Sequence, residues 1–171
     1  MKYVFSQNLI HPEAFRQKLL SYVTVFDPCI CLDSNSHLLP EQRYGTYDFL
    51  AAMGKRKEYK GSGASLLKTL RDAISQNREW LFGYLAYDTK NMFEDLRSDN
   101  FDGTGFPDIY FFQPEIVFII RHHKIEIHSD VETVASLQKI YKTIKQLLPL
   151  YPASDHTMKI MNRMSMSYYI K

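Results

Sequence analysis

A chain of 171 residues, 45% hydrophobic and 23% charged, has the balance of an ordinary globular domain, which excludes a fibrous or intrinsically disordered protein. Its 21 Lys and Arg against 19 Asp and Glu leave no global field to draw it to nucleic acid or an anionic membrane. No stretch suits a signal peptide or approaches the roughly 20 apolar residues of a membrane span, so a cytoplasmic location is expected.

Residues 3–5 predict a short strand. His11, Pro12 and Glu13 then open a helix, proline standing where its missing N–H is harmless, and Phe15, Leu19 and Tyr22 or Val23 give that helix one apolar face. After Asp27 and Pro28, residues 29–32 read as a short buried strand that stops at the polar cluster Asp33, Ser34, Asn35, Ser36, a natural rim for a ligand. The two cysteines of the chain, Cys29 and Cys31, share one face of that strand, a poor geometry for pairing with each other, so reduced thiols are expected.

Tyr47, Phe49, Ala51 and Met53 alternate with Asp48, Leu50 and Ala52, and Gly54 and Lys55 turn into the polar run 56–60, which predicts a β-hairpin. Gly61, Ser62 and Gly63 form a joint before a helix carrying Leu66, Leu67, Leu70 and Ile74 as far as about Asn77. Residues 80–87 are apolar on both alternating faces, as in a strand buried between two layers, with Gly83 admitting a close backbone; Asp88 then caps a short helix over 89–96. Residues 98–105 form a loop, and Pro107 and Pro114 bracket the aromatic run Tyr110, Phe111, Phe112.

Residues 116–120 and 124–127, joined through Arg121, His122 and His123, predict two antiparallel strands. Asp130 precedes a long amphipathic helix carrying Val134, Leu137, Tyr141, Ile144 and Leu148, ended by Pro149 or Pro152. Strands interleaved with helices and hairpins predict an α+β fold on a largely antiparallel sheet. At the far end, residues 158–164 alternate like a strand, and residues 165–170 read as a cap and a first helical turn, so the chain is expected to be the front part of a longer protein.

Few residues suggest chemistry. Gly61, Ser62 and Gly63 lack the Lys and Ser/Thr of a phosphate loop. His122 and His123 are adjacent and point to opposite faces, which suits a turn better than a metal. Lys55, Arg56, Lys57 and Lys60 around Tyr59 suit a solvated hairpin tip better than a nucleic-acid patch. No nucleophile elbow and no paired carboxylates stand out, so no catalytic residue is assigned.

The run from Trp80 to Asp88 (Trp-Leu-Phe-Gly-Tyr-Leu-Ala-Tyr-Asp) resembles the Gly-Tyr-(Leu/Phe)-x-Tyr-Asp segment in the N-terminal domain of the anthranilate synthase component I and aminodeoxychorismate (para-aminobenzoate) synthase component I family. Asp27 and Pro28 with Cys31, Leu32, Asp33 and Ser34 are similar to that family's strand ending in Leu-Glu-Ser or Leu-His-Ser. Arg43, Tyr44, Gly45, Thr46 and Tyr47 are similar to its Arg-Tyr-Ser-(Phe/Tyr) stretch. Phe93 to Leu96, Pro107 with Asp108, and Pro114 follow in order, and Asn162, Arg163, Met164 and Ser165 with Tyr168 and Ile170 resemble the entry to the family's chorismate-binding domain.

The resemblance implies a non-catalytic N-terminal domain over residues 1–156, with 157–171 beginning the chorismate-binding domain, and so the N-terminal portion of the chorismate-utilising fold. The chorismate pocket and the Mg²⁺ ligands would lie in the missing catalytic domain. The implied partners are that C-terminal domain and a glutamine amidotransferase subunit that delivers ammonia, and the parent enzyme would aminate chorismate. Tyr87, Asp88, Thr89, Lys90 and Asn91 with Glu94 and Asp95 look more like the aminodeoxychorismate branch, which feeds folate, than the tryptophan branch; a free-standing binding domain is the other reading.

Carried over residue by residue, the resemblance implies half of a tryptophan pocket made by Ser34, with Tyr44, Gly45, Thr46 and Tyr47 along the neighbouring wall. Asp33 stands where the family has Glu or His, and Gly45 where it has Ser. The same residues equally suit a structural part, Asp33 and Ser34 capping a turn and the tyrosines packing in the core. A domain that normally packs its sheet on another is also expected to self-associate when alone.

Overall fold

The structure is a computed structural model that describes residues 1–34, 47–76, 79–94 and 105–149. Among these the chain forms strands β1 (Tyr3–Asn8), β2 (Cys29–Asp33), β3 (Phe49–Met53), β4 (Lys57–Gly61), β5 (Phe82–Leu85), β6 (Ile109–Gln113), β7 (Ile116–Arg121) and β8 (Lys124–Ser129). The helices are α1 (Pro12–Val23), α2 (Ala64–Gln76) and α3 (Val134–Gln146). All the pairings are antiparallel and build two sheets, one in the order β1-β8-β7-β3-β2 and one in the order β4-β6-β5. The fold is therefore α+β on antiparallel sheet, as the pattern of elements implies.

The alternation of side chains explains how the layers stack. One face of the larger sheet presents Phe49, Ala51, Met53, Phe118, Ile120, Ile125 and Ile127 to Phe15, Leu19 and Val23 of α1 and to Leu137 and Ile144 of α3. Its other face presents Ala52, Val117 and Ile119 to Phe82 and Phe112 of the smaller sheet, whose far face packs Tyr59 and Ile109 on Leu70 and Ala73 of α2. The order of layers is helices, five strands, three strands, helix. β7 is buried on both faces from Ile116 to Ile120, which is why its sequence is an unbroken apolar run. Fully burying one such side chain contributes about 1.5–3 kcal/mol.

Local chemistry sets the ends of the elements. Pro12 opens α1, and the Thr133 hydroxyl accepts the Ser136 N–H at the start of α3. The β7–β8 hairpin turns at His122, which takes a positive φ of 51°. Gly83 lies opposite Phe111, and a Cβ at that position would stand 2.0 Å from the Tyr110 carbonyl oxygen, so the close approach expected at this glycine is real.

Several expectations need correction. Residues 47–60 are not a hairpin: β3 pairs with β2 and β7, β4 pairs with β6, and Gly54 (φ 68°) carries the chain from one sheet to the other. β3 is apolar on both faces, which the helices and the smaller sheet cover, while its two edges pair with β2 and β7. β2 is an edge strand and half-buried, and β5 is likewise an edge strand that buries only Phe82 and leaves Leu85 exposed. In α2 the inward face runs through Leu70 and Ala73, leaving Ile74 outside. Asp88 caps nothing; it lies in the first turn of a 3₁₀ segment, Tyr87–Met92, beside Lys90. α3 is capped by Thr133 and ends at Gln146, before Leu148, and the aromatic run 110–112 is the central strand of the smaller sheet.

Candidate functional site

The smaller sheet covers the β3–β7 side of the larger one, where Ala52, Val117 and Ile119 are apolar. Toward β8 and β1 the same face turns polar, because the residues in register with Val117 and Ile119 are His128 and Glu126, and beyond them Val4 and Ser6. Val4 is 43% exposed, so this half of the face is uncovered among the described residues. The two halves meet along a boundary whose sides differ in chemistry like two walls.

One wall is aromatic. Tyr47 meets Trp80 edge-on at 6.1 Å, Trp80 stacks on Phe82 at 5.7 Å and 20°, and the row continues through Phe112 to Tyr110 and Tyr84. The other wall is ionic. Glu126 accepts from Lys124 Nζ at 2.8 Å and Arg121 Nη1 at 3.2 Å, and lies 3.2 Å from His128 Nε2. The Lys124 hydrogen bond, followed by that of His128 and the charges of Lys124 and Arg121, outweighs burial and holds the Glu126 carboxyl down at about 2. Arg121 joins the walls, its guanidinium 4.6 Å from the Tyr47 ring centre.

Ser34 and Tyr47 come together at the open end of β2 and β3. The Ser34 N–H and hydroxyl both donate to the Asp48 carbonyl, at 3.1 and 3.0 Å, and the Asp48 carboxylate accepts the His122 N–H. The one proton of the Ser34 hydroxyl is thus engaged in closing the sheet, and its lone pairs are what it can offer a guest. Asp33 accepts from Arg16 Nη1 at 2.9 Å. Tyr47 lines the aromatic wall rather than the helix-facing core that simple alternation would give it. Tyr44, Gly45 and Thr46, and the segment 157–171, lie outside the described residues.

Trp80, Arg121, Glu126 and His128 were not singled out as site residues by sequence reasoning. The signal was the alternation in β8, where Glu126 and His128 interrupt Ile125 and Ile127; it is read by default as a solvent face. The arrangement offers π faces and a guanidinium, which suit a planar or aromatic guest carrying negative charge. Among the described residues no three His, Cys, Asp or Glu side chains converge to hold a metal ion, and no step is assigned to one. No helix among them is long and apolar enough to cross a membrane.

Neither the protein-family models nor the curated proteins compared with this sequence include a match to it.

Proposed function

We propose that the chain is the non-catalytic N-terminal domain of a para-aminobenzoate (aminodeoxychorismate) synthase component I, whose parent enzyme aminates chorismate for folate synthesis. In this reading it supplies a packing wall for a chorismate-binding domain, with Mg²⁺ ligands and chemistry in that domain and ammonia from a glutamine amidotransferase partner. The support from the sequence is the ordered series of segments from Asp27 through Ser34, Tyr47 and the run 80–88 to Asn162 and Arg163.

The observation that carries the reading is the surface around β5. This strand is a sheet edge, and around it Leu85, Tyr87, Phe93 and Phe106 are 51%, 82%, 68% and 68% exposed. An unpaired strand edge beside large apolar side chains is what a domain built to pack on another presents. Leu85 and Tyr87 stand within the stretch that carries the Gly-Tyr-(Leu/Phe)-x-Tyr-Asp resemblance, and Phe106 packs edge-on against its Tyr84 at 6.2 Å. Ser34 and Tyr47 would hold one side of a regulatory amino-acid pocket, the tyrosine with its Trp80 neighbour covering an aromatic side chain.

The test is turnover of chorismate by the full reading frame with a glutaminase partner and glutamine, followed by chromatography. Aminodeoxychorismate is the expected product. Anthranilate would assign the chain to the tryptophan branch instead, and no consumption of chorismate would refute both and leave a binding domain.

A further inference from the structure

On the opposite, helix-covered side of the larger sheet, a cavity of about 430 Å³ opens between the end of β1, the start of α1 and the last turns of α3. This is within the ordinary range of small-molecule sites, roughly 300–1,000 Å³. Its floor is aromatic: Phe15, 6% exposed, and Tyr141 stack at 5.4 Å and 23°. Its rim carries His11, Lys18 and Lys145, and none of the described residues lining it is Asp or Glu.

Two further details add positive potential. The His11 side chain makes no capping hydrogen bond to α1, and His11 and Ala14 of its first turn line the cavity, so the positive end of this 12-residue helix lies beside it. Glu13, the acidic residue of that turn, is paired with Arg16 and does not line the cavity. Against these stands the carboxyl end of α3, whose Lys145 carbonyl accepts from Lys18 Nζ at 2.8 Å. That contact satisfies the carbonyl and leaves the ammonium two further protons.

We propose that this cavity binds a small planar aromatic carboxylate, its ring against Phe15 and Tyr141 and its carboxylate toward Lys18, Lys145 and the first turn of α1. The site is separate from the boundary at Ser34 and Tyr47 and does not depend on the function proposed above. An aromatic floor alone would accept any flat apolar molecule, and the two lysines at its rim are what select the carboxylate.

Benzoate is the probe, with benzylamine as its charge-reversed control, each titrated into the full chain and followed by amide NMR. Benzoate is expected to shift the amide signals of residues 8–11, 13, 14 and 145 saturably, and benzylamine to leave them unmoved. Lys145→Gln, at an exposed position, together with Lys18→Gln is expected to weaken benzoate about tenfold, within the range that two exposed charges contribute. Lys145→Gln alone, which leaves the Lys18 contact to the backbone intact, should weaken it about threefold, so a double variant that fails to fold does not remove the test. Equal binding of benzylamine, undiminished affinity in Lys145→Gln, or shifts confined to other regions would overturn the proposal.

Discussion

Replacing Gly83 by alanine should be among the most damaging single-methyl changes available to the described residues. An added Cβ would stand 2.0 Å from the Tyr110 carbonyl oxygen and 2.6 Å from the Phe111 Cα, both backbone atoms that cannot rotate away. That is more than about 1 Å short of ordinary contact, so β5 must move off β6. β5 is four residues long and held through one neighbour, in the register Phe82–Phe112 to Leu85–Ile109, so displacement loosens one or two ladder bonds at about 1 kcal/mol each. Overpacking adds about 1–3 kcal/mol, giving a loss of about 3 kcal/mol in all. For a chain of this length the melting temperature should fall by about 6–12 °C. Urea unfolding followed by fluorescence of Trp80, the one tryptophan of the chain, measures it directly beside the affected strand. A loss below about 1 kcal/mol would refute the argument that the two backbones are in contact at this point.

Other perturbations probe separate parts of the molecule. Because the Glu126 carboxyl lies at about 2 when folded and 4.5 ordinarily, its contribution is complete above pH 4.5 and is lost as pH falls from there toward 2. Glu126→Gln should flatten that acid limb of the stability curve by about 1 kcal/mol after solvent screening, and an unchanged limb in acid titrations would exclude the network as its source. The Tyr59 hydroxyl is buried with no hydrogen-bond partner among the described residues, so Tyr59→Phe should be neutral or stabilising by up to about 1 kcal/mol in thermal unfolding, whereas a clear loss would reveal a partner. Burial first, and Cys29 second, push the Cys31 thiol up to about 11, so Cys31 should alkylate more slowly at pH 8 in the folded chain than in urea, as peptide mapping after iodoacetamide would show; equal rates would contradict its burial. Loss of the Thr133 cap in Thr133→Ala should lower stability by about 1 kcal/mol in urea unfolding, and no change would mean that the Ser136 N–H finds water instead.

Elements whose signal is carried within one segment were legible in the sequence. α1 shows its face in Phe15, Leu19 and Val23, and the β7–β8 hairpin shows itself in two apolar runs across His122 and His123. What one segment cannot carry is the identity of its partner. Residues 54–55 look like a hairpin turn because turn chemistry is local, whereas the choice of β7 over β4 as the neighbour of β3 depends on residues more than 60 positions away. The same limit applies to the candidate site. Ser34 and Tyr47 were named as pocket residues only through the family resemblance, and Trp80, Arg121 and Glu126 become a wall only when two sheets stack.

The pairing of β1 with β8 has a consequence for how the chain is made. Tyr3 lies opposite Ser129 and Asn8 opposite Lys124, so among the described strands the earliest one of the larger sheet joins it through one neighbour alone, and that neighbour is the last strand of the sheet to be synthesised. At ordinary translation rates of about 5–20 residues per second, β1 waits about 6–25 s for its partner. During that interval β2 and β3 can already pair, β7 and β8 then follow almost together, and β1 closes the larger sheet last.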